Sequence, residues 1–308
     1  MVGTKRKPKV SVCVVTYNQE KYIRQCLQSI LNQETDFDFE VIVGDDCSTD
    51  GTRQIIMDFA HRYPNIVIPI FHVKNVGPTK NFVATHLRAQ GEFVAHLDGD
   101  DLAYPGKLQI QCDYLIKKHS HVLVWHRVEI FDDAGNVNCL LHKRLNEIVD
   151  INEITFENLA KFGSLGAGSS LMYRKTAAKF LASIKGEVLD YYIAISLLKN
   201  GNATRLDNVL GGYRINLSKR TASKSGSKYF RSSPMRIIYA DHLKVLYLTD
   251  KRLKQEIFLN ALFGFFVELR FLRRSVLPFF ILVLRTATFA SVRQIPKYFV
   301  SSFKLRER

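Results

Sequence analysis

The stretch Phe93-Val94-Ala95-His96-Leu97-Asp98-Gly99-Asp100-Asp101 decides how this sequence folds. An apolar run that stops at Asp-Gly-Asp-Asp predicts a buried strand with carboxylates at its carboxyl end, the edge at which open α/β sheets bind ligands. Clustered carboxylates repel one another unless a cation joins them, and hard oxygen donors suit Mg²⁺ or Mn²⁺. The competing reading is a polar turn that caps the next helix, since Asp is a good N-cap.

Working outward, Phe39-Glu40-Val41-Ile42-Val43-Gly44 reads as another buried strand that ends in acids, at Asp45-Asp46-Cys47-Ser48-Thr49-Asp50-Gly51-Thr52. The first strand, Val10 to Val15, ends in Thr16-Tyr17-Asn18. Between these two strands, Tyr22, Ile23, Cys26, Leu27, Ile30 and Leu31 follow the three-and-four spacing of an amphipathic helix. Helix and strand alternate again through 52–63 and 66–73, so the first hundred residues predict an α/β fold: a doubly wound, mainly parallel sheet flanked by helices. No Gly-x-Gly-x-x-Gly follows the first strand, which argues against a nicotinamide enzyme on such a sheet.

Val-Thr-Tyr-Asn at 15–18, the acidic run at 45–52, Asn75-Val76-Gly77 and Leu-Asp-Gly-Asp-Asp at 97–101 together resemble, in order and spacing, the motifs of family 2 glycosyltransferases. These are nucleotide-sugar-dependent enzymes of the GT-A fold, and the likeness covers residues 1–110. It implies that Thr16, Tyr17 and Asn18 line the nucleotide pocket, with the Tyr17 ring over the base; core packing is the alternative for that ring. It implies that Asp46 accepts the N–H of uracil while Asp45 supports the turn or caps the following helix. Lys80 would meet the base or the diphosphate, or stand solvated. Asp98, Gly99 and Asp100 would hold the donor, and Asp100 or Asp101 the Mn²⁺ or Mg²⁺ that neutralises its diphosphate.

The resemblance also implies a general base, an Asp that opens a helix after the acceptor segment. Asp190 fits, although Leu189 stands where the family has a second acid, and N-capping is the other role open to Asp190. Upstream, Gly163 to Lys175, including Gly168 and Ser169, resembles the floor of the acceptor site. Downstream, Tyr213-Arg214-Ile215-Asn216 matches a Tyr-Arg-x-His pattern that serves the acceptor or diphosphate region, with Asn216 in place of His. The implied activity is that of an inverting, hexosyltransferase-type enzyme. Its donor is expected to be a UDP-sugar and its acceptor a hydroxyl of a glycan or lipid-linked saccharide in bacterial surface polysaccharide synthesis. A sugar-nucleotide-binding scaffold without catalysis is the alternative, given Leu189 and Asn216. A nucleic-acid binder would account for the charge but not for acids at the ligand edge of the sheet, so no nucleic-acid partner is expected.

The 308 residues carry a formal charge of +15 and 46% hydrophobic residues, enough for one large core and an extension. The expected division is a catalytic domain over 1–217 (a nucleotide-sugar half, 1–110, and an acceptor half, 111–217), a basic loop over 218–230 and a helical basic-apolar tail over 231–308. The cysteines at 13, 26, 47, 112 and 139 form no close metal-ligand pair and predict buried thiols. The N-terminus has no apolar signal region, from which a cytoplasmic location is expected. In the tail, the apolar runs at 257–267 and 276–284 are each about half the ~20 residues that span a bilayer, with arginines between them. Basic amphipathic helices lying on the inner face of an anionic membrane are expected, with Phe263, Phe266, Phe279 and Phe280 buried in lipid. Helices packed on the catalytic domain or in a homodimer contact are the alternative.

Overall fold

The computed structural model describes residues 7–143, 145–215, 233–269, 275–296 and 298–299. Strand and helix alternate at first: β1 (Val10–Thr16), α1 (Ile23–Leu31), β2 (Phe39–Asp45), α2 (Thr52–Arg62), β3 (Val67–Phe71), α3 (Pro78–Arg88) and β4 (Phe93–Asp98). β1, β2 and β4 are short and covered by helices, so most residues facing either side are apolar and buried. Val10, Val12, Val14, Val41, Val43, Phe93 and Ala95 join Ile23, Leu27, Ile30, Ile56 and Phe59 of the helices in one core. Cys13, Cys26 and Cys112 are buried free thiols, as expected, whereas Cys47 and Cys139 are free but only partly buried.

The register positions the site. β1 pairs in parallel with β2 on one side and β4 on the other, with Thr16 opposite Asp45 and Val15 opposite Asp98. The polar ends of these three strands therefore emerge side by side at one edge. The chain continues through β5 (Leu102–Ala103), α4 (Lys107–Lys117), β6 (His121–Phe131), β7 (Val137–Leu140), α5 (Phe156–Phe162), β8 (Met172–Arg174), α6 (Asp190–Leu197) and β9 (Asn202–Arg214). The resulting nine-stranded sheet runs β3-β2-β1-β4-β8-β6-β9-β5, with β7 beside β6. It is parallel from β3 to β4 and mixed beyond, where β8 pairs antiparallel with both β4 and β6 while β6 and β9 run parallel. β9 pairs antiparallel with β5, which brings its last residues alongside the turn after β4.

The described chain forms two compact units, and the division differs from a cut near 217. The first holds Met1–Leu141, Gly166–Glu187 and Ser196–Arg214; the second joins His142–Leu165 and Val188–Ile195 to the tail from Ile215 onward. Within the second unit lie α7 (Ser233–Thr249), α8 (Lys254–Leu269), α9 (Val276–Thr286) and α10 (Phe289–Arg293). Segment 142–165 sides with the tail because α5 is tied to it. Asn260 Nδ2 donates to Ala160 O at 2.8 Å, Tyr298 Oη donates to Lys161 O at 3.0 Å, and the Tyr298 and Phe162 rings stack.

Helix α8 is buried without a break from Ile257 to Gly264, the signature of a core helix rather than of one lying on a lipid surface. Phe263 and Phe279, expected in lipid, are 3% and 0% exposed, whereas Phe266 and Phe280 are 48% and 41% exposed. Gly264 makes the packing of Phe279 possible, because a Cβ there would lie 2.3 Å from the Phe279 ring. The basic loop expected at 218–230 lies outside the described residues.

Candidate nucleotide-sugar site

The loops after β1 and β2 are knitted into one platform. Asn18, at φ +52°, turns its Oδ1 to accept the Thr49 N–H at 2.8 Å, while its own N–H donates to Ser48 Oγ at 2.9 Å. Gln19 N–H donates to Thr52 Oγ1 and Gly51 N–H to Glu20 Oε2. Thr16 is buried and gives its hydroxyl proton to Gln19 Oε1 at 2.7 Å. Tyr17 stands beside it 47% exposed, which removes the core-packing alternative and leaves an aromatic face open at the strand edge.

The two acids at the end of β2 both accept donors of the protein itself. Asp45 is 0% exposed; its carboxylate accepts Arg53 Nε–H at 3.0 Å and Ser48 N–H at 3.2 Å, and Arg53 in turn donates to His72 O. It supports the turn and faces no solvent. Asp46 receives Val76 N–H at 2.7 Å on one oxygen and Gly77 N–H at 3.0 Å on the other, and Asn75 Nδ2 donates to its carbonyl. Asp46 thereby fixes the Asn75-Val76-Gly77 segment, and each carboxylate oxygen keeps a lone pair for a further donor. Lys80, on the first turn of α3, is exposed.

The turn after β4 is built differently. Gly99 sits under Thr16 and Gln19, where a Cβ would come within 2.5 Å of Gln19 Oε1, so only glycine lets Asp98 and Asp100 flank that contact. The Asp98 side chain is 39% exposed, while Asp101 points inward and is 1% exposed. Asp101 Oδ1 accepts the Arg214 N–H at 2.8 Å and its Oδ2 has no hydrogen-bond partner. Burial, then the Asp98 charge, pushes the Asp100 carboxyl up to about 6, and burial with both neighbouring acids raises Asp101 well above the usual range. Burial pushes Asp98 the same way, but His96, Ser169 and Lys107 outweigh it and hold Asp98 below its ordinary value.

Two cations of the chain balance this turn from within. Lys107 is 1% exposed, with burial pulling it down to about 8 against the pull of Asp101, and it donates to Ser169 O. Arg214 donates from Nε to Asp100 O at 2.9 Å and from Nη2 to Gln25 Oε1 at 2.9 Å, sandwiched between the Tyr22 and Phe131 rings at 4.7 and 4.4 Å. It clamps the backbone of the acidic turn. Neither Lys107 nor the clamp by Arg214 was legible as sequence; a lysine opening the helix directly after the acids was the available signal.

The acceptor-region residues divide. Ser169, buried next to Gly168, belongs to the acidic turn: its Oγ accepts Asp98 N–H at 3.0 Å and lies 3.4 Å from Asp98 Oδ2. Tyr213 is 37% exposed. Asp190 is exposed at the first residue of α6 and belongs to the second unit, whereas Glu187, in the first unit, accepts the Thr79 hydroxyl at 2.8 Å. Asn216 lies outside the described residues. Among those described, no three His, Cys, Asp or Glu side chains converge as a closed metal cage. The turn nevertheless fits a hard cation, since Asp98 and Asp100 reach solvent and their mutual repulsion is what such an ion would relieve. Asp101, expected as a metal ligand, is turned away and tied to Arg214.

Comparison with known proteins agrees with this geometry. The family model described as glycosyl transferase family 2 matches residues 11–180. An uncharacterized protein of Mycobacterium tuberculosis is 39% identical over 127 residues, 41% of this chain and 37% of that protein. The putative glycosyltransferase EpsE of Bacillus subtilis is 35% identical over 130 residues, 42% of this chain and 46% of that protein. The chain thus spans less than half the length of these relatives. Among solved structures, residues 1–349 of TarS of Staphylococcus aureus in complex with UDP align over 96% of this chain and 87% of that one, with a TM-score of 0.63 at 21% identity. The mannosyltransferase PcManGT of Pyrobaculum calidifontis, in complex with GDP-Man and Mn²⁺, aligns over 97% of this chain and 84% of that one, with a TM-score of 0.60 at 16% identity. These likenesses establish the GT-A-type fold. With the motifs in place at three adjacent strand ends and the family model covering more than half of its length, the chain belongs to glycosyl transferase family 2.

Proposed function

We propose that this enzyme moves a sugar from a UDP-sugar to a hydroxyl of a glycan or lipid-linked saccharide, with inversion, in the synthesis of a cell-surface polymer. The observation that carries the reading is the pair of partly exposed carboxylates, Asp98 and Asp100, held one glycine apart beside the open Tyr17 ring. TarS structures hold UDP and UDP-GlcNAc, which favours UDP for the donor.

Tyr17 covers the base and Asp46 accepts its N–H. Asp98 and Asp100 would hold a Mn²⁺ or Mg²⁺. Such an ion neutralises the diphosphate and makes it a better leaving group. Asp190 takes the proton of the acceptor hydroxyl as its oxygen bonds to the anomeric carbon, and the bond from that carbon to the diphosphate breaks on the opposite face. The test is a panel of nucleotide sugars with Mn²⁺, read by release of nucleoside diphosphate and by product anomer. The expected result is turnover with a UDP-sugar and a loss of about 10²–10⁴ in rate in Asp190→Asn at unchanged donor affinity. Near-normal turnover in that variant would reduce Asp190 to a helix cap.

An anionic membrane surface is the partner proposed for the tail. No helix among the described residues is long and apolar enough to cross a membrane. Helix α9 buries Phe279 and Leu282 but turns Leu277, Phe280, Ile281 and Leu284 outward, 61%, 41%, 41% and 64% exposed, at the spacing of a single helical face. From Arg270 to Arg308 the sequence carries nine Lys or Arg and a single acid, Glu307. An apolar face in so basic a setting suits anionic lipid, each nearby cation adding about 1 kcal/mol. Full-length protein should float with anionic vesicles, less so with neutral ones, and Leu277→Glu with Leu284→Glu should leave it in solution. If the vesicles fail to capture it and sedimentation shows a dimer that the same substitutions dissolve, the face belongs to a second copy.

A further inference from the structure

Behind Asp98 lies a row of buried groups that none of the roles above uses. His96 precedes Asp98 by two residues on β4, so both side chains leave the same face of the sheet. Its Nε2 lies 3.3 Å from Asp98 Oδ1, its Nδ1 lies 3.1 Å from His86 Nε2, and His86 Nδ1 lies 2.7 Å from the Tyr173 hydroxyl. His86 and His96 are each 3% exposed and Tyr173 is 1% exposed. Phe82 stacks on His86 with ring centroids 3.7 Å apart and lies against His96 at 5.0 Å, which fixes both imidazole planes.

The direction of the chain follows from what each group can do. The Asp98 carboxylate is the acceptor at this end of the row, and His96 donates to it from Nε2. A His96 ring with one proton, at Nε2, accepts at Nδ1, and His86 then donates from its own Nε2. Burial and the neighbouring His96 push His86 well below the ordinary histidine value, so it is neutral and its Nδ1 accepts from Tyr173. Burial raises the Tyr173 phenol well above its usual value, which keeps it a donor. In this arrangement all three contacts are satisfied and every donor points toward the acidic turn.

We propose that Tyr173, His86 and His96 are positioning residues that lock the Asp98 carboxylate by one oxygen, Ser169 holding the other, so that its remaining lone pairs face the nucleotide sugar. Asp98 is thereby oriented before any ligand arrives. The role rests on the reading of Asp98 as a donor-site group, but the proton order of the row is independent of it.

Two measurements separate these layers. Side-chain ¹⁵N spectra of the ligand-free protein should show both rings as Nε2–H tautomers, with the order at His86 relaxed in Tyr173→Phe, a change that removes one hydroxyl and leaves the packing. Titration of UDP with Mn²⁺ should show affinity falling about tenfold in His96→Leu and about threefold in Tyr173→Phe, and restored to within about threefold of wild type in His96→Gln, which returns an N–H near the Nε2 position. An Nδ1–H tautomer at either ring overturns the row. Equal affinity in His96→Leu, His96→Gln and wild type overturns the positioning role. If wild-type protein takes up no nucleotide at all, the donor reading and the positioning role built on it both fall, while the spectra still decide the row.

Discussion

β2 and β4 both end in acids, yet the two ends are finished in opposite ways. At β2 the protein spends its own donors on the carboxylates: Arg53 and Ser48 on Asp45, the Val76 and Gly77 amides on Asp46. At β4 the supply falls short. Asp98 has His96 and Ser169, but Asp101 keeps a buried oxygen without a partner, and Asp100 is pushed up to about 6. A buried polar group left unsatisfied costs stability unless something arrives to satisfy it. The acids of β2 build a scaffold, and those of β4 are left short of positive charge in the shape of a cation and diphosphate site.

The largest effect expected from this difference is on chemistry. Asp100→Ala should lower sugar transfer by about 10³-fold with little change in unfolding midpoint, because it removes a group facing ligand and relieves repulsion in the turn. An equal loss of transfer in Asp45→Ala without a change in stability would erase the contrast. Asp45→Ala should instead destabilise the protein by about 2 kcal/mol, since Arg53 and the Ser48 N–H lose their buried acceptor. Calorimetric unfolding and UDP affinity of the folded fraction together check this, and affinity should shift by less than about threefold.

A smaller effect comes from pH. Because Asp100 is raised to about 6 by burial and then by Asp98, it loses charge as pH falls through that value. Divalent-dependent UDP affinity should therefore drop about tenfold per pH unit below about 6 and level off above about 7. The stability contribution runs the other way. A carboxyl with a raised folded-state value favours the fold below its unfolded value, about 3.9, and that contribution disappears as pH rises through about 6. Without divalent ion, wild type should thus lose stability relative to Asp100→Asn between about pH 4 and about pH 7, and Mn²⁺ with UDP should abolish the difference.

The contrast also marks what the sequence could disclose. Val10–Thr16, Phe39–Asp45 and Phe93–Asp98 were legible because a short, doubly covered strand must be apolar on both faces and because its acids stand where the apolar run stops. Which acids face ligand was not legible. Asp45 turns inward on Arg53 across a loop, and Asp101 is held by a backbone amide 113 residues later. Such pairings are set by strand register, not by local pattern. The row from Tyr173 to Asp98 joins a helix and two strands for the same reason. In the tail, the apolar run of 257–264, interrupted by Asn260, was already the mark of a core helix, and two of the four phenylalanines expected in lipid, Phe263 and Phe279, are kept by the fold for itself.

The central claim is that the turn after β4, and not the one after β2, binds the donor through a divalent cation. Mn²⁺ binding followed by electron paramagnetic resonance, with saturating UDP and above neutral pH, tests it directly. Wild type and Asp101→Asn should each immobilise a single Mn²⁺ per chain, and Asp100→Asn should release it together with the nucleotide. Uptake of Mn²⁺ and UDP by Asp100→Asn as tight as by wild type, or full UDP binding in the presence of EDTA, would contradict the account.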